Sequence, residues 1–274
     1  MIAIIGASGR SGAALCRALG QPFRAVVRDV AKWRALGIAA PHAVAELGDA
    51  SALRAALAGA SVVISCAHAR HVSVILAAAP ADARFVFMGS TRRHSRWADA
   101  HGDGVRAGEA AFLASRRPGS MLHPTMIYGA EGEDNVQRLA ALMRRSPMLP
   151  LPGGGLSLVQ PIHQDDVTRS LAAAAARMNA APEVIIIAGP TPLPYRDFCA
   201  AVARAAGITP RPILPLPAAL LMMASPLARL FLPRIGAAEI RRLTEDKAFD
   251  IAAMRETLGV TPIPLAEGLA RTFA

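Results

Sequence analysis

Seven residues near the amino terminus, Gly6-Ala7-Ser8-Gly9-Arg10-Ser11-Gly12, carry the clearest chemistry in the chain. They follow an apolar run, Ile2 to Ile5, and precede a helix-forming stretch that begins at Ser11. Glycine lets the backbone turn tightly and approach an anion without a Cβ, and a helix start supplies free N–H groups and a positive dipole end. The spacing is that of a loop that cradles a pyrophosphate, with Gly6, Ser8, Gly9, Arg10 and Gly12 as the contacts.

About 20 residues further on, where such a fold reads the ribose of a dinucleotide, the next strand ends in Val27-Arg28-Asp29. A guanidinium at Arg28, helped by Arg10 and Lys32, pairs with a 2′-phosphate, so the spacing favours NADP; Asp29 keeps NAD as the alternative, because a carboxylate accepts from ribose hydroxyls and repels phosphate. Asp49, after the third strand, is placed to contact an adenine amino group and is equally well placed as a helix N-cap. Cys66-Ala67-His68 follows the fourth strand, where Ala67 would lie over the nicotinamide ribose and His68 reads either as a site residue or as a surface-loop histidine.

The elements that must position these residues alternate regularly. Strands are expected near Ile2–Ile5, Phe23–Val27, Ala43–Glu46, Val62–Ser65, Arg84–Met88 and Ser120–His123, with helices at Ser11–Leu19, Ser51–Leu57, His71–Ala79, Val105–Ser115 and Asp134–Arg145. That is an α/β chain with a doubly wound parallel sheet, a Rossmann domain over residues 1–150. After Pro150 the texture becomes rich in Pro and Gly; a helix over 165–178, a strand over 184–188 and then short proline-bounded helices predict a smaller carboxyl-terminal lobe, 151–274, that completes the sheet and covers a substrate cleft.

Composition narrows the function. With 274 residues, 53% hydrophobic and 18% charged, the chain can bury a large core. The net charge of +10 comes with 28 arginines and two lysines and with no zinc-finger spacing, basic heptad or aromatic-basic stripe, so no nucleic-acid partner is expected. Cys16, Cys66 and Cys199 show neither a disulfide framework nor a CxxC pair, which together with a start that lacks a basic n-region predicts a cytoplasmic protein without metal. The apolar segment 216–233 is interrupted by Pro226 and Arg229; it reads as a helix pair closing the substrate pocket, or as a surface that touches a membrane or a partner protein.

In the order GASGRSG, VVRD, LGDASALRAALAGASVVISCA, HPTMIYG and LVQPIHQDDV, these stretches resemble the extended and atypical short-chain dehydrogenase/reductase superfamily, and within it the branch of NmrA-like proteins and the Rossmann accessory subunit of respiratory complex I. The resemblance implies a bound nicotinamide nucleotide, a small-molecule substrate and a Tyr-x-x-x-Lys acid/base pair. That pair is absent: Gly132 stands four residues after Tyr128, Cys199 four after Tyr195, and neither Lys32 nor Lys247 follows a tyrosine at that spacing. By the same resemblance the hydroxyl partner survives in Ser90-Thr91 and His101 occupies the tyrosine position, where an imidazole can do acid/base work; a solvent-exposed loop histidine is the competing reading. Ser90 also joins the implied cofactor contacts, as does Pro124, which is preceded by His123 where the family has arginine. His163, Asp165 and Asp166 look like the family's buried structural turn, and the run Thr91 to Arg96 would collect an anionic substrate or form a solvated basic loop. Two functions follow: an NAD(P)-dependent oxidoreductase or epimerase-like enzyme with Ser90, Thr91 and His101 as the catalytic residues, or a non-catalytic NAD(P)H-binding sensor or assembly factor.

Overall fold

The computed structural model describes residues 1–130, 134–228 and 236–274, with side chains to residue 223 in the middle segment. Strands β1 (Ile2–Ile5), β2 (Phe23–Val27), β3 (His42–Val44), β4 (Val62–Ser65), β5 (Arg84–Met88) and β6 (Gly119–Pro124) join the strand Pro182–Ile187 in one sheet. Its order is β3-β2-β1-β4-β5-β6 and then Pro182–Ile187, and every neighbouring pair is parallel. This is the Rossmann arrangement, with the reversal of strand order between β1 and β4.

Register fixes where the strands end. Ile5 pairs with Val26 and Ser65, Ser65 with Phe87, and Phe87 with Met121. The turns that follow β1, β4 and β5, at Gly6, Cys66 and Gly89, therefore share one edge of the sheet with the end of β6 at His123 and Pro124.

Alternation along the strands supplies both faces of the core. Ile4, Val27, Ile64, Val86 and Leu122 face α1 (Arg10–Ala18) and α7 (Gln164–Ala176). Ala3, Ile5, Val26, Val63, Phe85, Phe87 and Met121 face α3 (Ala50–Leu57), α4 (Val72–Ala78) and α5 (Ala100–Ser115). Phe87 is central to the second layer, stacked 5.3 Å from Phe85 and edge-on 5.1 Å from Phe112 of α5.

The second half contributes a third cluster, in which Tyr128, Met143, Leu149, Phe198 and Val202 pack with Leu269. It draws on α6 (Asn135–Arg145), α8 (Tyr195–Ala205) and α12 (Leu265–Phe273). Helix α9 (Ala218–Ala228) runs through Pro226, which sequence reading took as a break; α9 packs on α10 (Ala237–Arg242) and leaves Leu220 and Met223 51% and 78% exposed. The rest of the apolar 216–233 segment, from 229, lies outside the described residues, and among the described residues no helix is long and apolar enough to cross a membrane.

Phe87→Ala leaves a cavity in the layer that holds α5 on the sheet, and it is expected to cost about 3–5 kcal/mol. Urea denaturation checks this; a loss below about 1 kcal/mol would show that the layer collapses around the site.

Candidate functional site

The glycine loop is shaped by contact with itself and with the next strand's turn. Gly6 has φ +74°, open to glycine at no cost, and a Cβ there would lie 3.2 Å from the Ala67 nitrogen. A Cβ on Gly12 would overlap the Gly6 carbonyl oxygen, so α1 can start this close to β1 only with glycine at that position. Gly9, whose N–H donates to Gly6 O at 2.9 Å, is the N-cap and offers no side chain to the first turn of α1. Ser8 is half-buried in the turn and Arg10, the first residue of the helix, is exposed. The cradle thus presents backbone N–H groups and a helix start, with Ala67 packed behind it.

At the end of β2 Arg28 is exposed, while Asp29 Oδ1 accepts from Lys32 N–H at 2.9 Å and caps α2 (Val30–Arg34). Asp49 does the same for α3, accepting from Ser51 and Ala52 N–H at 3.0 and 2.9 Å. The capping reading of Asp49 is the one the geometry displays.

Beyond β5, the Ser90-Thr91 pair is held by the end of β6. Ser90 N–H donates to His123 Nδ1 at 2.9 Å, and the Thr91 hydroxyl donates to Pro124 O at 3.1 Å. Ser90 Oγ accepts from Arg92 N–H at 3.2 Å, which leaves its own hydrogen without a partner among the described residues. The two hydroxyls therefore differ: Thr91 has spent its proton on the backbone, and Ser90 retains one to donate. Nε2 of His123 lies 2.6 Å from Glu109 Oε2, and Arg93 Nε pairs with the same oxygen at 2.8 Å without hydrogen-bond alignment.

His101 stands two residues after Asp99, which caps α5 by accepting from Gly102 N–H at 2.7 Å. The loop-histidine reading is thereby corrected: α5 begins at Ala100, four turns rather than three, and His101 lies in its first turn, half-buried. Its ring meets that of His68 edge-on with centroids 4.3 Å apart. His68 is itself fixed, with Nδ1 accepting from Arg70 N–H at 3.0 Å and its ring 2.9 Å from where a Cβ on Gly104 would stand. Burial, and then Arg92, hold His101 below the usual histidine range; burial, and then His101, bring His68 down to about 4. Both rings are neutral at pH 7, and in His68 the one lone pair of the neutral ring is already taken by Arg70 N–H.

Carboxylates take up much of the basic run. Arg92 pairs with Asp99 at 2.7 Å and Arg93 with Glu109, whereas Arg96 stays exposed, 3.7 Å from Glu245 and near the Trp97 ring. All three guanidinium groups of the run, read from sequence as an anion collector or a solvated loop, thus face carboxylates of the chain itself. The run also ties in the second half: Ser95 Oγ donates to Glu245 at 2.8 Å, and Arg242 reaches Asp99 at 3.5 Å.

Other acids and nucleophiles are elsewhere or inert. Tyr128 is buried against α12 and His163, with burial raising its phenol, and Tyr195 is raised by burial as well. Burial pushes the Cys16, Cys66 and Cys199 thiols up to about 12. His163 caps α7 by accepting from Asp165 N–H at 3.2 Å, and buried Asp166 accepts from Ile263 N–H at 2.9 Å, a structural corner as expected. His123 and Glu109 are the residues that sequence reasoning left out of the site, and His68 is one it left open between a site residue and a surface-loop histidine. Glu109 and His123 come from different elements, and only the replacement of arginine by His123 before Pro124 hinted at them.

No family model and no curated protein sequence matches the chain. Solved structures do match in fold. The NADPH-dependent quinone oxidoreductase QOR2 of Escherichia coli, complexed with NADPH, is 18% identical, with a TM-score of 0.78 over 100% of both chains. The triphenylmethane reductase of Citrobacter sp. is 16% identical, with a TM-score of 0.79 over 99% of each. The UDP-glucose 4-epimerase of Thermotoga maritima, with UDP-glucose, is 16% identical, with a TM-score of 0.72 over 99% of this chain and 97% of that one. The whole chain, including its second half, has the fold of these reductases and epimerases.

Burial lowers His68, His71, His94, His101, His123 and His163 from the ordinary value of 6.5. The unfolded chain binds these protons at higher pH than the fold does, so unfolding takes up protons below about 6.5 and acid drains stability. Calorimetric melts are expected to give a Tm that is level near pH 7 to 8 and falls steadily towards pH 4. A Tm unchanged between pH 7 and pH 5 would contradict the burial of these rings.

Proposed function

We propose that the chain is an NAD(P)-dependent oxidoreductase or epimerase-like enzyme acting on a small molecule. The observation that carries the reading is the pairing, on one sheet edge, of a glycine cradle whose Gly12 admits no side chain with a Ser90 hydroxyl that has a proton to give. The fold neighbours support it, since one was solved with NADPH and another, MoeE5, with NAD and UDP-glucose.

The residues present fit a dinucleotide. Gly6, Ser8, Gly9, Arg10 and Gly12 would hold the pyrophosphate through backbone N–H groups and the start of α1, with Asp49, Ala67, Ser90 and Pro124 along the rest of the cleft. Arg28 favours NADP. Its guanidinium is exposed at the end of β2, while one oxygen of the competing Asp29 is committed to capping α2. A bound nicotinamide supplies or accepts hydride at C4.

The chain's own part is proton handling. Ser90 Oγ donates a hydrogen bond to the substrate oxygen, and Thr91, its proton committed to Pro124 O, holds the loop. His101 takes the place of the missing tyrosine. Neutral at pH 7, it removes a proton from a substrate hydroxyl in the oxidative direction, whereas in the reductive direction it must first be protonated. Reduction should therefore quicken as pH falls below 6.5, and oxidation should fall over the same interval.

The test is NADPH oxidation, followed with menadione, an aryl aldehyde and a 4-keto sugar nucleotide as acceptors, on native protein, Ser90→Ala, His101→Phe and Arg28→Ala. Turnover is expected to drop about 100-fold in Ser90→Ala and in His101→Phe. Arg28→Ala should erase a preference for NADPH over NADH and leave NADH affinity intact. Binding of NADPH without turnover of any acceptor would favour the sensor reading, and equal NADPH and NADH affinities in the native protein would refute the role of Arg28.

A further inference from the structure

We propose that His123 is a positioning residue that sets the geometry of the Ser90-Thr91 pair, with Glu109 selecting the imidazole tautomer that makes this possible. The inference rests on the reading of Ser90 as the hydroxyl that faces substrate, and it adds the group that holds it there.

Successive residues at the end of β6 hold successive residues after β5. His123 Nδ1 accepts from Ser90 N–H at 2.9 Å, and Pro124 O accepts from the Thr91 hydroxyl at 3.1 Å. A backbone N–H can donate only to a lone pair, so Nδ1 must be unprotonated and the ring proton must sit on Nε2. Glu109 secures that arrangement, because its carboxylate, 2.6 Å from Nε2, can only accept. Arg93 balances the charge of the same carboxylate oxygen at 2.8 Å.

The surroundings are built for this ring. His123 is 0% exposed and Glu109 7%. A Cβ on Gly89 would overlap the imidazole, so the residue before Ser90 has to be glycine for the ring to lie beneath the turn. Ser90 is held extended, at φ −166° and ψ 142°, where its Oγ can cap the 3-10 turn Thr91–His94 through Arg92 N–H. A buried imidazole and carboxylate cost desolvation, and apolar residues of the same volume often serve stability as well. Stability alone does not explain the pair, and the orientation of Ser90 does. Burial also favours the neutral ring that the arrangement requires.

Two substitutions separate positioning from packing. His123→Asn can place an amide oxygen near the Nδ1 position and keep the acceptor for Ser90, but it is too short to reach Glu109. His123→Gln reaches Glu109 and gives up the acceptor. Amide hydrogen exchange at Ser90, read by NMR, is expected to stay within about twofold of native in the Asn variant and to rise roughly tenfold in the Gln variant. The rate of NADPH oxidation by the best acceptor of the panel should stay near native in the Asn variant and fall in the Gln variant at unchanged KM for NADPH, whereas Tm should be lower in the Asn variant than in the Gln variant. Equal Ser90 exchange in the two variants, or faster exchange in Asn, would overturn the proposal. If neither variant folds, the 15N imidazole signals of the native protein decide: a proton on Nε2 supports the proposal and a proton on Nδ1 refutes it. Native protein that oxidises no NADPH would remove the enzymatic reading, while Ser90 exchange would still judge His123.

Discussion

The approach of α1 to β1 through Gly6 and Gly12 is the constraint on which the remainder of the site depends. With no Cβ at Gly12, the helix starts against the Gly6 carbonyl, and with Gly6 at positive φ the same turn packs on Ala67 beyond β4. Two neighbouring strands at the reversal of strand order are thereby locked at their carboxyl ends. Because every strand of the sheet is parallel, the turn after β5 and the end of β6 lie at the same edge as the cradle, which places Ser90, Thr91 and His123 along it.

Electrostatics then joins the second half of the chain to that edge. Glu245 is buried and accepts from the Ser95 hydroxyl and from Arg96 N–H, while Asp99, the cap of the helix that bears His101, pairs with Arg92 and Arg242. Exposed pairs of this kind contribute little singly, but those anchored on a buried carboxylate hold geometry more firmly. The second half of the chain is thus fastened to the loop that follows the hydroxyls.

The strands of the seven-stranded sheet and most helices packed on it could be read from hydrophobic periodicity to within a residue or two, because a sheet buried on both faces writes near-continuous β-branched runs such as VVIS and FVFM, whereas the short strands outside that sheet could not. The glycine loop and the missing tyrosine–lysine pair were equally plain, being matters of local spacing. The start of α5 was hidden. Gly102 and Gly104 depress helix propensity, and their reason is tertiary: one lies against the Arg92 carbonyl and the other against the His68 ring. For the same reason the sequence left the roles of His68 and His123 undecided. Their partners, His101 and Glu109, both sit on α5, so only the packing of that helix on the sheet edge brings them together. The pairing of the basic run was hidden as well, since its carboxylate partners lie up to 150 residues away in sequence.

Direct titration of NADPH into the native protein and into Gly12→Ala tests the central claim. The native chain should bind one NADPH saturably, and the methyl group at position 12, by driving α1 away from the Gly6 carbonyl, should weaken binding at least tenfold, about 1.4 kcal/mol, while the protein remains folded. Native protein that binds no NADPH, or a folded Gly12→Ala protein that binds it as tightly as native, would contradict the account.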